Sequence, residues 1–243
     1  MENITRRDLL ARATAFLAAG AMSGFCPLRV TRSWAYNKTR KERNMKLPAA
    51  RSTGEVSLEH AIQHRRTIRS FDSAALSLHE WAQLLWSAQG ITGTGGFKRA
   101  APSAGAFYPM DIYSAIGKDT VEGASAGVYH YEPKGHAVIR VSEGDLRAGL
   151  ARASLSQMWM AGAPVNFVIT AEYDRITGKY GRRGIRYAMI EAGHIGQNLF
   201  LQAEALGLRA GIVGAFDDKD VGRVLGLPKT HEPLLIMPVG YGR

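Results

Sequence analysis

A chain of 243 residues, 46% hydrophobic and 21% charged, carries enough apolar material for one substantial core and reads as a single catalytic domain. Its formal net charge of +10 would suit nucleic acid or an anionic surface, but residues 1–51 hold 11 Lys and Arg against 3 Asp and Glu, which leaves +2 for everything after them. No later segment interleaves Arg with aromatic residues as a nucleic-acid groove does, and the one cysteine, Cys26, excludes an internal disulfide, a cysteine-based metal cluster and a cysteine nucleophile from the domain.

The chain opens on Thr5, Arg6, Arg7, Asp8, Leu9 and Leu10, a paired-arginine motif ahead of an apolar stretch that runs to Phe25. This is the pattern of a twin-arginine export signal, with an amphipathic first helix as the plainer alternative. Arg12 and the small residues make the stretch too short and too weakly apolar for a membrane span of about 20 residues. Small residues suit a signal peptidase after Ala21 and after Ala35 alike, and Phe25 ahead of Cys26 argues against lipid attachment. The expected organisation is an export signal over 1–35, a basic linker over 36–54 and one domain over 55–243. A working signal would place the protein in the periplasm; otherwise it belongs in the cytoplasm.

Within the domain, apolar residues at helical spacing predict helices over 58–64 and 78–88, with Ser57 and Ser77 as N-caps. Short apolar or alternating runs predict strands over 110–116, 127–131, 137–141, 165–171, 210–213 and 233–239. The longest periodic element covers 185–206 and stops at Gly207; its apolar positions wrap much of its circumference, so it is expected to be buried. The mixture is α+β.

Three segments carry residues suited to chemistry. Arg65, Arg66, Thr67, Ile68, Arg69, Ser70 and Phe71 set three guanidinium groups and a hydroxyl directly after a short helix. Arg bonds phosphate oxygens bidentately and stays charged when partly buried, so the group can recognise phosphate, although such clusters are usually solvated faces. Ala101, Pro102, Ser103, Ala104, Gly105, Ala106, Phe107, Tyr108 and Pro109 join small residues, which let a backbone approach a flat ring, to a hydroxyl and two aromatics; the plainer reading is a tight loop feeding a strand. Glu191, Ala192, Gly193, His194, Ile195, Gly196, Gln197 and Asn198 put His194 and Gln197 on one helical face, thinned by two glycines that imply close packing against a helix or a ligand. Glu191 and His194 form a single Glu-x-x-His pair where a di-iron bundle needs two, so no metal is expected. The glycines at 93, 95 and 96 lack the strand and helix of a dinucleotide fingerprint and read as a mobile loop. Trp81, Trp86, Met158, Trp159 and Met160 read as core or dimer-interface residues, Met158 to Met160 being alternatively placed to line a substrate pocket.

These three segments, the Lys179-Tyr180-Gly181 step and the closing Val239-Gly240-Tyr241-Gly242-Arg243, all in order over 55–243, resemble the nitroreductase superfamily and within it the SagB-type branch. The resemblance implies a central, mostly antiparallel sheet flanked by helices, an intertwined homodimer, and FMN held at the subunit interface with NADH or NADPH as a candidate electron donor. By position, Arg65, Arg66, Thr67 and Arg69 would meet the flavin phosphate, ribityl chain or ring edge, and Arg243 the phosphate. Pro102, Ser103, Ala104 and Gly105 would cover the ring from the other subunit, while Val213, Gly214 and Ala215 would bring strand-end backbone to the ring near N5. Gln197, with His194 beside it, would stand at the cofactor as well.

The branch oxidises azoline rings of ribosomal peptides and uses a Lys-Tyr pair, which Lys179 and Tyr180 match. Removing hydride requires a base for the accompanying proton, a task that suits a desolvated lysine; a solvated lysine in a polar stretch is the plainer reading. Export of the chain on its own departs from cytoplasmic azole synthesis, although the twin-arginine route does carry folded, cofactor-loaded proteins. A quinone, nitro compound or small enone is therefore the alternative substrate. A flavin-binding protein without turnover and a surface-binding module using the basic leader are the competing classes.

Overall fold

The computed structural model describes residues 44–243. The expected export signal and residues 36–43 of the expected linker lie outside the described residues. The rest of that linker needs correction. Asn44–Lys46 forms a strand, β1, paired with residues 137–139, and Met45 and Leu47 turn onto the core. Three residues are too few to show an alternation, so the pairing had no readable signal.

The chain continues through α1 (Leu58–His64), α2 (Leu78–Gln89), β2 (Met110–Ile116), β3 (Gly127–Glu132), β4 (Ala137–Glu143), α3 (Arg147–Ala153), β5 (Val165–Ala171), α4 (Asp174–Tyr180), α5 (Arg183–Ala205), β6 (Arg209–Ala210), α6 (Asp218–Leu225) and β7 (Glu232–Gly240). Short 3-10 turns interrupt it at Ala104–Ala106 and Met158–Gly162. The seven strands make one sheet in the order β1-β4-β3-β2-β5-β7-β6, antiparallel throughout, so the architecture is α+β.

Local chemistry explains the main elements. Ser57 and Ser77 accept from backbone N–H groups three residues on, and Glu80 bonds back to the Ser77 N–H to complete a capping box at α2. Val165–Ala171 and Met110–Ile116 are buried along their whole length, because the sheet is covered on both faces. On one face α2 and α5 bring Trp81, Leu84, Ile195 and Leu199 against Ile112, Phe167 and Met237; on the other, α3 and α6 bring Leu150, Val221 and Leu225 against Tyr113, Val168 and Ile236. The Trp81 indole N–H donates to Ser114 Oγ at 3.0 Å, which removes the cost of burying it.

Two expectations differ from the structure. The strand expected over 210–213 shrinks to Arg209–Ala210 with an isolated Val213–Ile236 bridge, because Gly211 passes under Ile68 and Trp159. Helix α5 is not buried all round: Met189 and Ile190 are 53% and 50% exposed, and Gly193, His194 and Gln197 are exposed beside them. Its apolar residues form two faces, and only one meets the sheet.

Candidate functional site

The first cluster is assembled by backbone. Beyond α1 the chain lies alongside the sheet edge: Thr67 bridges Ala210, the Ile68 N–H donates to Ala210 O at 2.9 Å, and Phe71 bridges Gly242. The Asp72 N–H donates to Tyr241 O at 2.8 Å, and the Arg243 N–H to Ser70 O at 3.4 Å. These pairings bring Arg69 and Arg243, 174 positions apart by their numbering, to one cavity of about 450 Å³, with Ser70, Phe71, Met158 and Trp159 also on its wall. The Arg69 guanidinium stands 5.8 Å over the Trp159 ring. Gly211 makes the approach possible, since a Cβ there would lie 2.7 Å from Ile68 O and 2.9 Å from the Trp159 ring.

None of the ion pairs among the described residues involves Arg65, Arg66, Arg69 or Arg243. Arg147, on the same wall, is bonded instead by Asp145 at 2.7 Å. Two guanidinium groups without a carboxylate, at one cavity with serine hydroxyls and an indole, form a donor set for a phosphate attached to an aromatic group. The other residues of the arginine segment do not line this cavity. Arg65 lies 5.2 Å over the Phe200 ring, and Arg66 donates to the carbonyls of Gln63 and Arg65. Val213 is buried, while Gly214 and Ala215 are exposed.

The second cluster lies at residues 102–108. Pro102 and Gly105 are exposed, and Ser103 Oγ accepts from the Tyr108 N–H at 2.9 Å. Gly105, Ala106 and Tyr108 have φ of 63°, 57° and 48°, a region that side chains other than glycine rarely adopt. The end of α4 packs on this loop: Phe107 and Tyr180 meet edge to face at 5.9 Å, the Lys179 ammonium lies 5.6 Å from the Phe107 ring centre, and the Tyr180 hydroxyl stands 2.7 Å from where a Cβ on Gly105 would be. Lys179 and Tyr180 thus occupy the last turn of a helix and not the polar approach to one. Lys179 is exposed in the protomer.

An ion network absent from the sequence reading holds α4 in place. Arg175 bonds Asp111 at 2.8 Å and Glu172 at 2.5 Å, His130 bonds Asp111 at 2.8 Å, and His231 bonds the Tyr113 hydroxyl at 2.9 Å. Burial alone would raise the Asp111 pKa, but the His130 bond and the Arg175 charge hold it below the ordinary carboxylate value; burial lowers that of His231. Asp111, Glu172 and His231 have metal-ligand spacing, yet the Arg175 guanidinium already bridges both carboxylates.

The two clusters stand at opposite ends of β2, β5 and β7. The cavity is at the end where Ile116, Val165 and Val239 align, and the loop at the end where Met110, Ala171 and Glu232 align. Seven-residue strands separate the ends by about 20 Å. Gln197 and His194 belong to neither cluster and lie on the exposed face of α5.

The profile of the Nitroreductase family matches residues 62–241. A Methanocaldococcus jannaschii protein named as a nitroreductase is 42% identical over 186 residues, 76% of this chain and 91% of that protein. The microcin B17-processing protein McbC of Escherichia coli is 28% identical over 200 residues, 79% of this chain and 74% of that one. Among solved structures, a Ralstonia eutropha protein named as a nitroreductase aligns with a TM-score of 0.70 at 26% identity, covering 83% of this chain and 90% of its own. The E. coli microcin synthetase McbBCD complex with truncated pro-MccB17 bound contains a chain that aligns with a TM-score of 0.65 at 24% identity, covering 92% and 85%.

Proposed function

This chain belongs to the nitroreductase family of oxidoreductases, and from that premise we propose that it is an FMN-dependent enzyme that transfers hydride through flavin N5. The observation that carries the reading is the convergence of Arg69 and Arg243, without carboxylate partners, on one cavity beside Trp159. They would hold the flavin phosphate, and the backbone at Val213, Gly214 and Ala215 would approach the ring. Bound FMN supplies a two-electron acceptor or donor of hydride.

The enzyme is proposed to act as a homodimer. Residues 102–105 lie at the opposite end of the central strands from the arginine cavity in their own protomer, strands about 20 Å long, so a second copy is the natural source of a loop over the ring. The exposed stripe of Met189, Ile190 and Gly193 on α5 supports such an interface, since a thinned helix with apolar neighbours admits close helix packing. There the partner would also remove water from Lys179. Lys179 would take up or return the proton that accompanies hydride, and the Tyr180 hydroxyl over Gly105 would orient it.

For the substrate, the Lys179–Tyr180 pair and the likeness to a microcin-processing protein support oxidation of an azoline ring in a peptide. The paired-arginine motif and the 42% identical relative favour the second reading, an exported reductase that passes electrons from NADH or NADPH to a nitro compound, quinone or enone. The purified protein is expected to be yellow, to release FMN on denaturation, and to bleach with NADH, NADPH or dithionite. Bound flavin that reduces but passes electrons to no acceptor would reduce the role to flavin binding, and a colourless folded protein would end the reading.

A further inference from the structure

We propose that Glu191 is the positioning residue of the ring-covering loop: acting through Gln89 and Arg99, its carboxyl fixes Tyr108 and Ser103, and with them the backbone at residues 102–105. Glu191 is only 2% exposed, and it lies on the face of α5 opposite Met189 and Gly193. Its Oε1 accepts from Gln89 Nε2 at 2.9 Å at the end of α2. Gln89 Oε1 accepts from Arg99 Nη1 at 3.3 Å, and the Arg99 guanidinium lies 4.3 Å from the Tyr108 ring centre. Tyr108 donates its N–H to Ser103 Oγ and its hydroxyl to Phe97 O, on the tip of the glycine-rich loop. One chain of polar contacts therefore runs from a buried carboxyl on α5, through α2, to both ends of the loop.

The loop needs such a support. Three of its residues hold positive φ, two of them with side chains, and conformations of that kind persist only where surrounding contacts dictate them. The support is also incomplete on its own terms. Glu191 Oε2 and Arg99 Nε are buried without a hydrogen-bond partner. A hydrocarbon at position 191 would fill the space without leaving such an atom, so packing alone does not account for the acid.

The burial has a chemical consequence. It pushes the Glu191 carboxyl up to about 7, against the pull of the nearby Ser103 hydroxyl, Gln89 and Arg99. Arg99 is the charged group facing it from the loop, and Arg99 in turn feels Asp111 on β2 and Arg175 on α4; α2 presents the neutral Gln89. A carboxyl whose folded pKa exceeds its unfolded value stabilises the closed arrangement fully below the unfolded value, and the contribution is lost as pH rises through about 7. The loop is thus held tightest in mild acid.

The inference deepens the proposed flavin site and depends on that reading only for what the loop covers. Hydrogen exchange of residues 97–109 in the full chain, corrected for intrinsic rates, tests it without any activity measurement. In the wild type the opening constant is expected to rise at least tenfold between pH 5 and pH 8. Glu191→Gln, which keeps a hydrogen-bonding amide in the same shape but does not titrate, is expected to remove that rise while leaving exchange in β5 unchanged. If the variant is flavin-loaded, its kcat/KM should lose the matching pH limb. Wild-type exchange flat over this range, or an unchanged slope in Glu191→Gln, would overturn the assignment; the wild-type experiment stands even if the variant does not fold. A colourless protein with the expected exchange would sink the flavin reading and leave the positioning role intact.

Discussion

The two ends of the central strands solve opposite problems. At the arginine end, Thr67, Ile68, Phe71 and Asp72 are tied to Ala210, Gly242 and Tyr241 by main-chain bonds, so the frame is stiff and the cationic side chains are left without acidic partners. At the loop end the frame is itself strained at Gly105, Ala106 and Tyr108, and side chains hold it: Glu191, Gln89, Arg99, and the Arg175 network beneath α4. A rigid frame with uncompensated charge is suited to capturing an anion. A strained loop held by titratable groups is suited to adjusting around a reaction, and it should answer to pH and to single substitutions where the other end does not.

The largest effect that would break this contrast is at the arginine end. Replacing both Arg69 and Arg243 with Ala should weaken FMN binding by about 3–6 kcal/mol, because each charged hydrogen-bonding group is worth roughly 1.5–3 kcal/mol. The apo protein's thermal midpoint should hardly move, since neither side chain joins an ion pair or the core. Titration of apo protein with FMN followed by flavin fluorescence gives the first quantity and calorimetry the second. An unchanged affinity would show that the cavity holds something else.

A smaller effect is expected at the other end. Lys179→Met should lower kcat by roughly a hundredfold, the low end of what a positioned acid or base contributes, with FMN affinity preserved. Steady-state assays on flavin-loaded protein separate the outcomes. A fall in FMN affinity with kcat intact would move Lys179 from the chemistry to the binding of the cofactor.

The sequence was most legible where a residue acts within its own element. The caps at Ser57 and Ser77, the buried runs of β2 and β5 and the stop at Gly207 follow from local chemistry and occur where that chemistry puts them. Helices α3, α4 and α6 were not legible. Each has seven or eight residues and an interior glycine, Gly149, Gly178 or Gly222, which costs about 1 kcal/mol against Ala and hides a weak period; the packing of Leu150, Ile176, Val221 and Leu225 overrides it. Periodicity found the apolar residues of α5 but could not tell a face covered by the sheet from one left open in the protomer. At the site, Arg69 and Arg243 share one cavity, a meeting that only the family resemblance implied, while Arg66 folds back on α1 and Trp159, read as core or interface or else as pocket lining, takes a place on the cavity wall. The tie between Gln89 and Glu191 crosses 102 positions and has no local pattern at all.

The smallest expected effect sharpens the comparison further, because two of the carboxyls at the loop end have pKa values shifted in opposite directions. Glu191 resists ionisation and favours its closed arrangement in acid, whereas Asp111 is held ionised by His130 and Arg175 against the pull of burial. A depressed carboxyl gives stability that is present above its unfolded pKa and lost as pH falls through the folded one. His231, with a lowered pKa, adds a loss of the same direction, beginning as pH drops below the usual imidazole value. On acidification from pH 7, α4 should therefore loosen while residues 97–109 tighten, and residues 67–71, which contain no carboxyl or imidazole, should do neither. Hydrogen exchange read segment by segment between pH 3 and 8 distinguishes the three responses. Equal responses in all three segments would mean that a single global opening governs them and that the two ends of the sheet are not independent.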